Sequence, residues 1–276
     1  MLYLVSTPIG NLGDMSPRAK EVLEGADLVA CEDTRTSRQL FSLLGIHVTA
    51  TTPYHDHNAD TARPKLIQKL KKGLNIALVS DAGTPLVSDP GYKLVRDCLR
   101  EGIKVSTVPG ANAVLSALQL SGLSSARFYF GGFLPPKTGA RQAHLAEVKT
   151  LKSTLIFYET PNRLLEALHD ILTIYGDREM AVVREITKKF EEIKKGNTSD
   201  LIAYYTQNGA PKGELVLVID GATQPFAFTG DLTTLIPSVR PKYPVKKAAE
   251  ILAEQTGLSK KELYQQIIAY EKKNEL

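Results

Sequence analysis

The chain has 276 residues, 43% of them apolar, and a formal net charge of +4, so it exceeds one typical domain and carries a sizeable core without staples. The mild basic excess permits a nucleic-acid partner without requiring one. Two cysteines, Cys31 and Cys98, exclude a disulfide framework and read as buried free thiols. No His/Cys cluster has metal-ligand spacing, and no apolar run approaches the roughly 20 residues of a membrane helix. The start, MLYLVSTPIG, lacks a basic n-region, so the sequence reads as a soluble cytoplasmic protein with no membrane partner.

In chain order, residues 1–120 alternate strand and helix. Apolar runs predict strands at 2–5, 28–31, 47–51, 76–79 and 104–108, with helices at 16–25, 36–44, 60–72, 91–101 and 112–121. Ser16-Pro17 is an N-cap followed by proline at the first helical position. Such βαβ alternation implies a parallel sheet covered on both faces. From 121 to 222 strands are expected at 127–133, 154–158, 180–184, 191–195 and 214–219. Residues 185–190 are too few for a helical crossover, so their flanking strands form a hairpin and the second sheet is mixed. Residues 223–243 read as a linker. Residues 244–276 read as two helices split at Thr256–Ser259, with Ser259 and Glu262 forming a capping box. This tail carries seven Lys against five Glu from Lys242 onward, net +2, and reads as a docking module or a helix-turn-helix.

Three strands of the first domain run into small, Gly- or Pro-bearing turns: Ser6–Asp14, Ser80–Gly91 and Pro109–Ala113. At the carboxyl ends of strands in an open α/β sheet, such turns make a ligand pocket largely from backbone. The turns match neither G-x-G-x-x-G nor the P-loop, and they lack the positive charge a triphosphate needs. S-adenosylmethionine, which has no phosphates, fits better.

Nine segments occur in order across both main domains: LVSTPIGNLGDMSPRA (4–19), ADLVACEDTRTSRQLF (26–41), PYHDHN (53–58), IALVSDAGTPLVSDPGY (76–92), VPGANA (108–113), FYFGGFLPPK (128–137), LIFYETPNRL (155–164), REITKKFEE (184–192) and KGELVLVIDG (212–221). By them the chain resembles the tetrapyrrole methylase family of S-adenosylmethionine-dependent enzymes. Within it, the chain resembles the bacterial group that 2′-O-methylates the ribose of small-subunit ribosomal RNA. The resemblance implies a two-domain α/β fold with the methyl donor in the cleft between the domains, and a homodimer. The donor residues it implies are Pro8, Ala82, Gly83, Thr84, Val87, Asn112, Ala113, Glu159 and Ile186. Tetrapyrrole enzymes carry Gly-Gly-Asp-Pro where this chain has Ala82-Gly83-Thr84-Pro85. That loss of an acidic group favours the RNA group. The resemblance implies a cytidine in the decoding region of 16S rRNA, on an assembled small subunit. A tetrapyrrole C-methyltransferase and a non-catalytic, donor-binding ribosome assembly factor are the alternatives.

Methyl transfer to a poorly nucleophilic hydroxyl relies on positioning and benefits from a general base within hydrogen-bond reach. Asp33 and Glu185 are the candidates, with Lys188 poised beside Glu185. Asp33 has a second reading, as a helix N-cap and partner of Arg35, and Glu185–Lys188 a second reading as a structural ion pair. Asp81 reads as a residue that fixes its loop. Arg35, Arg38, Lys137, Arg141, Arg163 and Lys189 are expected to hold RNA phosphates. Tyr54 and His55, in PYHDHN, are expected to stack a splayed base; His55 and His57 alone do not make a metal site.

Overall fold

The computed structural model describes residues 1–222, 232–256 and 258–274. The first sheet is all parallel, in the order β3-β2-β4-β1-β5, from β1 (Leu2–Val5), β2 (Leu28–Cys31), β3 (Thr51–Pro53), β4 (Ile76–Val79) and β5 (Val105–Val108). Every residue of β2 and β4 is buried, the pattern of strands covered on both faces. Helices α1 (Pro17–Glu24) and α2 (Thr34–Leu44) cover one face through Ala19, Leu23 and Phe41. Helices α3 (Ala59–Lys71) and α4 (Tyr92–Arg100) cover the other through Leu66, Leu70 and Leu94. The Ser16 hydroxyl accepts from the Ala19 N–H with Pro17 behind it, as its cap spacing implies. Cys31 and Cys98 are free and buried.

The third strand departs from expectation. It pairs with β2 at Val29↔Thr51 and Cys31↔Pro53, beyond most of the predicted 47–51. Val48, Thr49 and Thr51–Thr52 all carry β-branched side chains, so propensity does not choose among them. The ladder chooses, and Pro53 is tolerated because β3 is an edge strand.

Helix α5 (Ala113–Ser121) joins the two sheets. Its Val114, Ala117 and Leu118 pack on Ile156, Val183, Val216 and Val218 of the second sheet, with Ile9 and Val87 at the margin. That sheet runs β6-β7-β10-β8-β9, from β6 (Phe128–Phe133), β7 (Thr154–Glu159), β8 (Glu179–Arg184), β9 (Glu192–Asn197) and β10 (Leu215–Ile219). It is mixed: β6 and β7 are parallel, the other pairs antiparallel. β8 and β9 form the expected hairpin. Helices α6 (Thr138–Val148), α7 (Leu164–Tyr175) and α8 (Thr198–Asn208) cover the outer face over Leu155, Phe157 and Leu217.

Residues 223–231, the first part of the expected linker, lie outside the described residues. Its remainder is structured: α9 (Leu232–Val239) and a 3-10 turn (Arg240–Lys242) precede α10 (Val245–Thr256) and α11 (Lys260–Asn274). Ile236 and Val239 are buried against Ala248, Leu252, Leu263 and Ile267. The apolar side chains at 232, 235, 236 and 239 fit a helix; Pro237 and the Thr pair hide the signal in sequence. Of the expected Ser259–Glu262 capping box, one half is seen: the Glu262 N–H donates to the Ser259 hydroxyl at 3.2 Å, and that hydroxyl donates to the Glu262 carboxylate rather than the Ser259 N–H doing so.

Candidate active site

A cleft of about 370 Å³ lies where the carboxyl ends of β4 and β5 face β7 and the start of β10, within the range of small-molecule sites. Ala82, Gly83, Thr84, Val87, Asn112, Ala113 and Glu159, all named from sequence, line it. Pro8 and Ile186 do not: both are buried, Ile186 in the apolar layer under the floor, while the neighbour Ile9 lines the cleft. Ile9, Glu32, Asp89, Phe133, Tyr158 and Gly213–Val216 are lining residues that sequence reasoning missed, and Asp81, read from sequence only as fixing its loop, also lines the cleft.

The loops are shaped by hydrogen bonds. Thr7 and Gly83 exchange both backbone bonds (2.9 and 3.0 Å), tying the loop after β1 to the loop after β4. The Thr84 hydroxyl donates to the Ala111 carbonyl at 3.0 Å and accepts from the Ser6 hydroxyl at 3.2 Å. Asn112 caps α5 by accepting from the Leu115 N–H at 3.1 Å. Leu86 (φ 73°) and Ser88 (φ 65°) hold left-handed backbone. Such geometry costs of order 1–3 kcal/mol per residue and persists only where the surroundings impose it. At Gly91 (φ +136°) a Cβ would stand 2.7 Å from both Leu78 and Leu86. A side chain there would push the loop off the sheet.

Among the described residues, five carboxylates and no Lys or Arg line the cleft: Glu32, Asp81, Asp89, Glu159 and Glu214. Their environments differ. Glu159 is fully buried; its Oε1 accepts from the Thr160 N–H at 2.6 Å and pairs with Arg163 at 2.7 Å. Burial and the neighbouring Asp81 carboxylate raise the Glu32 carboxyl above its usual value. Burial pushes Asp89 up to about 6, with Glu32 and Asp81 adding to the rise and a Ser80 hydrogen bond opposing it. Tyr158 is raised to about 12, by burial first and by Asp89 second. Asp89 is therefore the half-buried carboxylate whose ionisation falls near neutral pH, where a general base is most effective. Its sequence signal was a carboxylate inside the most turn-rich loop.

All three sequence-named catalytic groups have other occupations. Asp33 caps α2 through the Arg35 N–H at 2.7 Å and grips the Arg35 guanidinium at 2.7 Å. The Arg35 hydrogen bonds hold its carboxyl at about 2, too low for a proton acceptor at neutral pH. Lys188 bridges Glu185 (3.0 Å) and Glu214 (2.8 Å), and its stem lies over Gly10, where a Cβ would collide with it. Burial opposes both charges of the Glu185–Lys188 pair. The Glu214 N–H and Lys188 nevertheless hold Glu185 below its usual value, and the two carboxylates hold Lys188 above its own. The pair clips the first loop to the second sheet; neither member lines the cleft.

Two expected RNA contacts are corrected. Arg141 is 1% exposed, pairing with Asp170 at 2.6 Å and donating to the Pro136 carbonyl at 3.2 Å. Tyr54 is also 1% exposed, packed among Leu66, Leu94 and Cys98. Neither reaches a phosphate or a base. Arg163 is committed to Glu159 and the Leu134 carbonyl. Arg35, Arg38, Lys137 and Lys189 are exposed, and His55 is partly so.

The cleft suits S-adenosylmethionine on chemical grounds. Its sulfonium and ammonium are cationic, so carboxylates along the wall favour them. The same wall repels phosphate, which argues against a nucleotide. Close approach to backbone is provided at Gly83 (φ +81°), where a Cβ would stand 3.2 Å from Ile9.

A model of the Tetrapyrrole (Corrin/Porphyrin) Methylases family matches residues 1–202, and one of the RsmI C-terminal HTH domain matches residues 241–269. The chain is 47% identical to the ribosomal RNA small subunit methyltransferase I of Mesorhizobium japonicum, covering 97% of this chain and 91% of that one. It is 46% identical to the protein of the same name from Synechocystis sp. (96% of each chain) and 43% to that of Escherichia coli O157:H7 (95% and 93%). Among solved structures, uroporphyrin-III-C-methyltransferase from Thermus thermophilus aligns with a TM-score of 0.55 and 20% identity, over 79% of this chain and 93% of that one. A diphthine synthase aligns with a TM-score of 0.59 and 16% identity, over 80% and 90%. These two show the fold alone.

Proposed function

The chain belongs to the tetrapyrrole (corrin/porphyrin) methylase family, and from that premise we propose that it is an S-adenosylmethionine-dependent methyltransferase of small-subunit ribosomal RNA. The proposed reaction is 2′-O-methylation of the ribose of a cytidine in the decoding region of 16S rRNA. The observation that carries this reading is the cleft: backbone-walled, lined by five carboxylates and free of cations among the described residues. The names of its relatives support the RNA class of substrate. At the position of the tetrapyrrole enzymes' loop aspartate, the Thr84 hydroxyl is occupied by Ser6 and the Ala111 carbonyl. Enzymes of this family act as homodimers by the same resemblance, and a cytoplasmic location follows from the substrate; light scattering tests the first.

S-adenosylmethionine, when bound, supplies an electrophilic methyl on a sulfonium. The chain's residues then have three jobs. The loops at Ala82–Val87 and Asn112–Ala113 orient the donor by backbone. Tyr158 and Leu215 supply apolar wall beside the donor and reduce its contact with water. Asp89 accepts the proton that the ribose hydroxyl gives up as its oxygen bonds to the methyl carbon and the carbon–sulfur bond breaks.

The test is transfer of tritiated methyl to small ribosomal subunits lacking this modification, followed by nuclease mapping. Label in an alkali-resistant dinucleotide is expected, because a 2′-O-methyl blocks cleavage. Alkali-labile label would move the methyl onto a base. No label with donor still bound would overturn the reading and favour a tetrapyrrole substrate or an assembly factor.

A further inference from the structure

The module formed by α9–α11 has a surface that its core does not use. Leu263 and Ile267 of α11 are buried against α9 and α10. A different face of the same helix lines an open groove of about 960 Å³, with Lys246 contributed by α10. Along α11 this face carries Lys260, Lys261, Tyr264 and Lys272, with Gln265, Ile268 and Ala269 between them. From Lys260 to Lys272 it runs about 18 Å, at 1.5 Å per residue.

The charges are arranged for a partner rather than for the fold. Lys260 pairs with Glu250 at 3.5 Å. Lys246, Lys261 and Lys272 are exposed and have no ion pair among the described residues. No carboxylate lines the groove among the described residues. Lys260 and Lys261 open the helix, where the macrodipole disfavours cations. Tyr264 is 42% exposed in the middle of this row.

We propose that this groove is a docking surface for a phosphodiester backbone of ribosomal RNA, away from the nucleotide that is methylated. Three ammonium groups along about 18 Å of α11, with Lys246 of α10 on the same groove, suit a run of phosphates, each met as a point charge. Tyr264 offers a flat face for a sugar or an unpaired base. The groove holds the substrate by charge and shape, without reading sequence. The proposal rests on the ribosomal RNA reading above.

The test uses the full chain carrying Lys246→Gln, Lys261→Gln and Lys272→Gln together, with the corresponding triple Lys→Arg chain as the rescue. Methyl transfer to small subunits is measured from 50 to 200 mM salt, and binding to deproteinised 16S rRNA by filter retention. The Gln chain is expected to raise KM on the order of tenfold and to lower the salt slope by about 2 to 3, roughly one unit for each phosphate that no longer meets an ammonium group. Its kcat and donor affinity stay unchanged, and the Arg chain restores KM. Unchanged KM and slope in the Gln chain, with the unmodified chain active, overturn the groove and leave the enzyme reading standing. Lost affinity for subunits with full affinity for naked RNA also overturns it, because the partner is then a ribosomal protein. An unmodified chain that transfers no methyl to subunits removes the enzyme reading, and the groove proposal with it.

Discussion

Asp89→Asn separates what the acid costs the fold from what it does in the cleft. Its carboxyl is raised from 3.8 to about 6, with burial the largest cause and Glu32 and Asp81 adding to it. The shift of roughly two units corresponds to about 3 kcal/mol of differential stability, and solvent at the cleft mouth reduces it to about 1–3 kcal/mol. Because the folded value is raised, the folded chain binds the proton more tightly than the unfolded chain. The protonated form's advantage is complete below pH 4 and is lost as pH rises through about 6. Asparagine carries no charge at any pH. The variant and the unmodified chain therefore match near pH 4, and the variant is more stable by about 1–3 kcal/mol above pH 7. Urea titrations at pH 4, 5, 6 and 7.5 read this directly. Methyl transfer moves the opposite way: kcat of the unmodified chain rises with pH through about 6, and the variant loses on the order of 10²–10⁴ in kcat. A stability difference that is the same at pH 4 and 7.5 refutes the assigned environment. An unchanged kcat refutes the proton acceptor while leaving the stability argument intact.

Three further outcomes are expected. Arg35, with 88% of its side chain exposed, is paired with Asp33. Arg35→Ala should weaken RNA methylation more than donor binding by calorimetry, and equal losses would place Arg35 in the fold or the pocket. Arg141→Ala leaves the buried Asp170 carboxylate without its ion pair. It should cost about 3–5 kcal/mol in urea unfolding, and a cost below about 1 kcal/mol would show that Asp170 finds another partner. Gly213 (φ +99°) gives up its Cβ space to the Glu185 carboxylate. Gly213→Ala should displace the Glu185–Lys188 clip, cost on the order of 1–3 kcal/mol of stability in urea unfolding through the strain of a left-handed residue, and weaken donor binding. Unchanged donor affinity would show that the clip does not hold the cleft wall.

Local signals carried much of the architecture. The apolar runs at β2 and β4, the Ser16-Pro17 cap and the hairpin around 185–190 are each specified within a dozen residues, and the structure repeats them. The turns after β1, β4 and β5 likewise announced a backbone-built pocket. What sequence did not convey depends on long-range pairing. The register of β3 is set by β2, about twenty residues away, against several equivalent β-branched choices. Arg141 looked like an RNA contact because its ion pair comes from Asp170 on another helix. Asp89 did not stand out because its basicity arises from burial and from Glu32, which the fold brings alongside from the end of β2.

The distribution of charge also constrains how an RNA substrate reaches this cleft. Five carboxylates line its walls among the described residues, and although Glu159 and Glu214 are paired with Arg163 and Lys188, the remaining three make a wall that disfavours a phosphodiester backbone and favours a cationic donor. For the proposed reaction, a ribose hydroxyl would enter with its phosphates held outside. The exposed cations available for that task lie on separate elements: Arg35 and Arg38 on α2, Lys137 before α6, Lys189 in the β8–β9 turn and the lysines of α11. Each alone is a weak, salt-sensitive contact. An RNA backbone that meets several of them at once is held more firmly than a strand that meets one. If the substrate is ribosomal RNA, as proposed, contacts that depend on several cations at once predict that a minimal oligonucleotide containing the target is a poor substrate even when donor is saturating.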